Sequence, residues 1–133
     1  MEIVVDTSVL IGFLRDHEPE ASVLARLLED GRAVMTAISA FELEIGLHGY
    51  DQLLSRVPAF AEAIPVLPFD LEAARWAGQE ERRLRQRGTA IGVADVLIAG
   101  ICLARRKPLL TLNPEHFSRI EGLRVLTPEQ VDA

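Results

Sequence analysis

The sequence predicts an α/β fold in which a parallel central sheet is flanked by helices. Two observations predict it. Short apolar or β-branched segments alternate along the chain with segments whose apolar residues recur at helical spacing, the pattern of successive βα units. No linker, repeat or biased tract interrupts the alternation, so residues 1–133 read as one domain. With 49% hydrophobic and 26% charged residues, the chain can bury a real core, and disordered or fibrous classes are excluded.

The elements follow in order. Ile3-Val4-Val5 is a short strand, Asp6-Thr7-Ser8 a polar turn, and Val9, Leu10, Phe13 and Leu14 mark a helix. Pro19 breaks that pattern, and Val23, Leu24, Leu27 and Leu28 give a second helix ended by Gly31. Ala33 to Ala37 is a buried strand. Ser39 is placed to cap a third helix, with Ala40, Leu43 and Leu47 on one face and Gly46 and Gly49 near its end. Asp51 to Glu62 reads as a helix interrupted by Pro58. Ile64 to Pro68 is an edge strand, because Pro65 cannot donate to a ladder. Asp70 caps a long polar helix that runs to Gln86 and stops at Gly88. Ala94, Leu97, Ile98 and Ile101 stand at i, i+3, i+4 and i+7, the clearest amphipathic helix in the chain. Leu109 to Leu112 is a strand that ends at the turn signal Asn113-Pro114, and Leu123 to Leu126 is the last strand.

Composition narrows the function classes. The longest unbroken apolar run, Val96 to Ala104, is far short of the roughly 20 residues a membrane span requires. No basic leader precedes the first strand, and the single cysteine, Cys102, lies in an apolar helical stretch where it packs as a small hydrophobe. Both features point to a cytoplasmic protein. The net charge is −6, yet residues 82–107 hold seven of the fourteen basic side chains and one acid, Asp95.

Ligands of open α/β sheets bind outside the carboxyl ends of the strands, at a switch in strand order. Asp6 and Asn113 sit at two such ends. Glu42 and Asp95 lie in apolar helical contexts, where an unpaired buried carboxylate costs several kcal/mol or shifts its pKa upward. A shared divalent cation removes that difficulty, and an all-oxygen set suits Mg²⁺ or Mn²⁺. There is no His/Cys cluster with zinc spacing. Each residue also has a plain structural reading. Asp6 can be a helix N-cap, Asp95 a first-turn partner of the helix dipole, and Asn113-Pro114 a turn. Glu42 can be a solvated acid, with Glu44 about 200° round the helix as its competitor. His116 and Phe117 can be a surface contact and packing.

Four segments together carry a resemblance: Val4-Val5-Asp6-Thr7-Ser8-Val9-Leu10-Ile11; Thr36-Ala37-Ile38-Ser39 leading to Glu42-Leu43-Glu44-Ile45-Gly46; Val93-Ala94-Asp95-Val96-Leu97-Ile98-Ala99; and Leu110-Thr111-Leu112-Asn113-Pro114-Glu115-His116-Phe117. In this order and spacing they resemble the motifs of a PIN domain, most closely of VapC-type toxins of prokaryotic toxin–antitoxin pairs. The resemblance spans nearly the whole chain. It implies a Mg²⁺-dependent endoribonuclease acting on structured RNA such as tRNA or rRNA, a homodimer, and an antitoxin that blocks the cleft. The family's three acids fall on Asp6, Glu42 and Asp95, with Asp6 and Asp95 as metal ligands and Thr7, Ser8 and Thr111 as orienting hydroxyls. Where many members carry a fourth acid, this sequence has Asn113, with Glu115 and His116 just beyond. An amide can ligate or position water but adds no charge.

Acids that bind metal also repel RNA, so the cleft needs a basic surround. Arg82, Arg85, Arg87, Arg105 and Arg106 are its candidates, weighed against solvated faces partly paired with Glu80 and Glu81. The 5% aromatic content argues against a base-stacking platform. Two enzyme rivals fail on residues: a receiver domain wants an acidic pair after the first strand and a late strand-end lysine, and an aspartyl phosphatase wants an acid where Ser8 stands. A nuclease-like fold that only binds RNA or protein is the remaining alternative.

Overall fold

The computed structural model describes residues 1–46 and 56–131. The described residues form five strands, β1 (Ile3–Val5), β2 (Ala33–Thr36), β3 (Val66–Leu67), β4 (Leu109–Leu110) and β5 (Val125–Leu126). All pair in parallel, in the order β3-β2-β1-β4-β5. The chain builds outward from β1 on one side, then crosses to build on the other. The carboxyl ends of β1 and β4 therefore lie side by side where the strand order reverses.

The helices are α1 (Thr7–Leu14), α2 (Glu20–Glu29), α3 (Ala37–Glu44), α4 (Val57–Ala63), α5 (Leu71–Gln86), α6 (Val93–Arg105), α7 (Pro114–Phe117) and α8 (Pro128–Val131). The strands are apolar on both faces because helices cover both. Alternation along each strand sorts its side chains. Ile3, Val5, Ala33, Met35 and Leu110 pack with residues of α1, α2, α3 and α4, whereas Val4, Val34 and Leu109 pack with residues of α5, α6 and α7. Each large apolar side chain so buried contributes about 1.5–3 kcal/mol.

Several elements depart from expectation. The third helix begins at Ala37, and its N-cap is Thr36, whose hydroxyl accepts from the Ser39 amide at 3.1 Å. Ser39 is therefore not the cap; it lies inside the helix and is fully buried. Pro58 does not interrupt a helix but occupies the first turn of α4, where its missing N–H is not needed. Leu47, Gly49 and Asp51, expected at the ends of flanking helices, lie outside the described residues. Pro114 likewise opens α7 rather than a bare turn. Asp70 caps α5 through its side chain, 2.9 Å from the Ala73 amide. Val23, Leu24 and Leu27 of α2 are core residues, packed inside the molecule.

Helix α6 is buried more widely than an i, i+3, i+4 stripe. Val96, Ala99, Gly100 and Cys102 are covered along with Ile98 and Ile101, because the sheet takes one face and α5 the other. Burial pushes the Cys102 thiol far up and leaves it inert. The two helices run antiparallel: Arg105 pairs with Asp70 at one end, Gly100 meets Ala73 and Ala77, and Val93 and Leu97 face Glu81 and Arg85 at the other. A Cβ on Gly100 would stand 2.6 Å from the Ala73 carbonyl oxygen and 2.7 Å from the Ala77 Cβ. Gly100→Ala gains about 1 kcal/mol of helix propensity but forces the helices apart against rigid backbone. We expect a net loss of about 1–3 kcal/mol, read as a melting temperature lowered by several degrees; an unchanged or raised melt would contradict this packing.

Candidate active site

Asp6 directly follows β1 and sits at the N-cap position of α1, but its side chain makes no capping bond. Its carboxylate is 4% exposed and is held by two hydroxyls on the same oxygen. Thr111 Oγ1 donates to Oδ2 at 2.8 Å and Ser8 Oγ donates to it at 2.9 Å. The sheet register makes this possible. Val5 stands opposite Leu110, and the Asp6 amide donates to the Leu110 carbonyl, so the next residues of the two strands, Asp6 and Thr111, meet. Thr111 Oγ1 in turn accepts from the Asn113 amide at 3.0 Å, and Ser8 Oγ from the Leu112 amide at 3.2 Å. The hydroxyls thus fasten the β4–α7 connection to Asp6.

A second chain of hydroxyls reaches Glu42. Thr7 Oγ1 donates to Glu42 Oε1 at 2.5 Å and lies 2.8 Å from Ser39 Oγ; Thr36 Oγ1 donates to Ser39 Oγ at 3.5 Å. Each hydroxyl has one proton. Since Thr7 gives its proton to Glu42, Ser39 must donate to Thr7, and the line Thr36–Ser39–Thr7–Glu42 points one way, toward a charged carboxylate. Ser39 and Thr36 were not among the residues singled out for the site. The signal was there, two small polar residues on an apolar helix and strand end, but capping accounted for one of them. Glu42 is half-buried and lines the pocket, whereas Glu44 is exposed.

Asp95 lies in the first turn of α6, with 30% of its side chain exposed. Asp6, Thr7, Ser8, Ile11, Glu42, Asp95 and Asn113 line one open cavity of about 140 Å³ at the carboxyl ends of β1 and β4. Burial raises the Asp6 carboxyl above the usual range, partly offset by the Thr111 and Ser8 hydroxyls and the nearby Thr7 and Ser8 amides. Burial also raises Asp95, and the charges of Asp6 and Glu42 add to this; His116, whose Nδ1 is 3.4 Å from Asp95 Oδ2, opposes it.

Among the described residues no three His, Cys, Asp or Glu side chains close tightly enough to clasp an ion alone. The donors nonetheless fit a hard divalent cation, because Mg²⁺ takes one or two carboxylates and fills its remaining positions with water. Asp6, Asp95, Glu42 and Asn113 together line a cavity large enough for several waters.

The structure divides the basic segment in two. Arg82, Arg85 and Arg87 lie toward the end of α5 that packs beside the start of α6 and hence Asp95. All three are exposed, and Arg85 pairs with Glu81 at 2.8 Å. Arg105 and Arg106 stand at the opposite end of α6, about 15 Å along its axis from Asp95. Arg105 pairs there with Asp70, and Arg106 lines a separate cavity with Trp76, Leu103 and Arg124. Neither is brought to the acidic pocket.

The PIN domain matches residues 3–123, and the chain belongs to the PIN-domain family. Within it, the chain belongs with the VapC proteins. It is 30% identical over 128 residues to the tRNA(fMet)-specific endonuclease VapC of Shigella flexneri, covering 93% of this chain and 96% of that protein. It is 32% identical over 128 residues to ribonuclease VapC1 of Methanocaldococcus jannaschii, covering 93% and 86% of the two chains. In structure it superposes on a chain of VapBC-1 from nontypeable Haemophilus influenzae with a TM-score of 0.81 at 26% identity, over 97% of this chain and 99% of that one.

Because the Asp6 and Asp95 carboxyls are both raised, the folded state holds their protons more tightly than the unfolded chain does. Their contribution to stability is therefore greatest below the unfolded carboxyl pKa and is lost as pH rises through the higher folded values. Asn at position 6 can keep its carbonyl oxygen where Oδ2 accepts both hydroxyls. In EDTA at pH 7, Asp6→Asn should melt at the same temperature as wild type or higher. The gap should narrow as both are acidified toward the unfolded carboxyl pKa of about 3.9. A variant clearly less stable at pH 7 would show that the ionised carboxylate stabilises the fold.

Proposed function

We propose that this chain is the metal-dependent endoribonuclease toxin of a VapBC-type toxin–antitoxin pair, hydrolysing phosphodiester bonds in structured RNA such as tRNA or rRNA. The convergence of Asp6, Glu42, Asp95 and Asn113 on one pocket at the strand switch carries this reading. The endonuclease and ribonuclease names of its relatives support it. Asp6 and Asp95 would hold Mg²⁺, or Mn²⁺, which supplies a water of lowered pKa and a counter-charge for the phosphoryl and leaving oxygens. Thr111 and Ser8 fix the Asp6 carboxylate by its Oδ2, so its direction toward the pocket is set before substrate arrives. Glu42, whose Oε1 accepts from Thr7, would take a proton from the attacking water at Oε2. Asn113 positions water or phosphate through its amide. In-line attack by water leaves 5′-phosphate and 3′-hydroxyl ends.

Partners belong to the same reading. Phe41 on α3 and Ile45 at its C-cap lie near Glu42 and are 62% and 55% exposed, and Leu112 beside Asn113 is 38% exposed. This apolar rim around an acidic cleft suits a covering chain, which we assign to the antitoxin; a homodimer is part of the same proposal. The protein acts in the cytoplasm, and no helix among the described residues is long and apolar enough to cross a membrane.

Purified protein should cleave RNA in Mg²⁺ or Mn²⁺ and not in EDTA, and Asp6→Asn or Asp95→Asn should reduce cleavage to background. Cleavage that survives EDTA would overturn the metal mechanism; RNA binding without cleavage in either ion would mark a binding module instead.

Charge reversal at Arg82 or Arg87 should weaken RNA binding and lower the salt slope by about 0.7 for each lost phosphate contact. Reversal at Arg105 should change neither. Binding measured across a salt series separates the two ends, and equal effects at both would refute the assignment to the end near Asp95.

A further inference from the structure

We infer that His116 is a metal ligand beside Asp95, so that the pocket is a mixed oxygen–nitrogen site holding Mn²⁺ or Co²⁺ in preference to Mg²⁺. The inference rests on the metal-dependent reading above and goes beyond it by naming a further ligand and the class of ion it selects.

Geometry carries it. The four-residue helix α7 is anchored by Phe117, which is fully buried. That anchor presents the preceding residue, His116, beside Asp95, which lines the pocket. Its Nδ1 stands 3.4 Å from Asp95 Oδ2. Two donors each about 2.1 Å from one ion are about 3.0 Å apart at octahedral right angles and about 3.4 Å apart at tetrahedral ones. The observed separation thus suits two neighbouring ligands of a single ion with little movement of either. Half of the His116 side chain is exposed, so its ring has room to adjust.

The chemistry agrees. The pocket offers Asp6, Glu42 and Asp95 as acids, but Asn113 brings no charge to the β4 side. An imidazole on α7, held against Asp95, supplies there the strong donor that an amide does not. Imidazole nitrogen binds Mg²⁺ poorly and first-row transition ions well, and affinity rises from Mn²⁺ to Co²⁺. The competing explanation is that His116 is only a charge partner of Asp95. It predicts no metal–nitrogen bond and a uniform effect of substitution on every ion.

Titration calorimetry of the full chain with Mg²⁺, Mn²⁺ and Co²⁺, run on wild type, His116→Ala and His116→Asp, tests this. Pulsed electron paramagnetic resonance of the Mn²⁺ form reads nitrogen ligation directly. Wild type should show coupling to an imidazole ¹⁴N that His116→Ala lacks. His116→Ala should lose about tenfold or more in Co²⁺ and Mn²⁺ affinity while Mg²⁺ affinity changes no more than about twofold. His116→Asp should bind Mg²⁺ more tightly than wild type without regaining Co²⁺. If wild type binds metal without ¹⁴N coupling, or if His116→Ala weakens all three ions alike, the inference falls and the metal-dependent reading stands. If wild type binds none of the ions, both fall. Melting curves in EDTA establish that each variant is folded before it is titrated.

Discussion

A carboxylate buried at the end of a buried strand is the constraint around which this molecule is arranged. Asp6 follows three residues of β1 that are at most 1% exposed, and it is itself only 4% exposed. Such a group is tolerated only where hydrogen-bond donors replace the lost water. The donors come from two places, Ser8 two residues on and Thr111 across the sheet, 105 residues away. The second depends on strand register. A one-residue slip of β4 against β1 would turn Thr111 to the other face and leave Asp6 without its principal partner. Packing of the sheet and chemistry of the pocket are therefore one requirement.

The helices serve the same requirement from both sides of the sheet. Helix α6 is held between the sheet and α5, and the close approach at Gly100 fixes its axis. Its buried body positions Asp95 in its first turn, near Asp6, where the two charges raise the cost of keeping both ionised. Helix α3 carries Glu42 in from the other side, and the hydroxyl line from Thr36 through Ser39 and Thr7 holds it. Three carboxylates brought together in this way repel one another. The cation proposed above would offset that repulsion and add stability as it binds.

The charge distribution makes sense on the same frame. An overall net charge of −6 opposes RNA, yet the end of the α5/α6 pair nearest Asp95 carries Arg82, Arg85 and Arg87 on its surface. The second group of cations in the same sequence segment is turned to the far end, where Arg105 and Lys107 are paired with Asp70 and Glu2. An antiparallel helix pair separates residues that are neighbours in a simple count of charge.

Much of this was legible in the sequence. Strand–helix alternation and the apolar spacing of α2 and α6 are local signals, and they predicted the α/β class. The acids at strand ends or in apolar helices stood out because an unpaired buried charge is expensive wherever it falls, and that logic singled out Asp6, Glu42 and Asp95. What only the tertiary structure decided were relations between segments. One choice left open on sequence was decided by facing: Glu42 rather than Glu44 lines the pocket. Ser39 left its expected role as a cap because Thr36 was better placed for that bond and Thr7 needed a donor from across 32 residues. His116, read as a surface contact, reached Asp95 because Phe117 sank into the core beside it. Local pattern determines which residues are apolar and where helices begin. Which polar atoms meet depends on register, crossover and packing angle, and those are set only when the whole core closes.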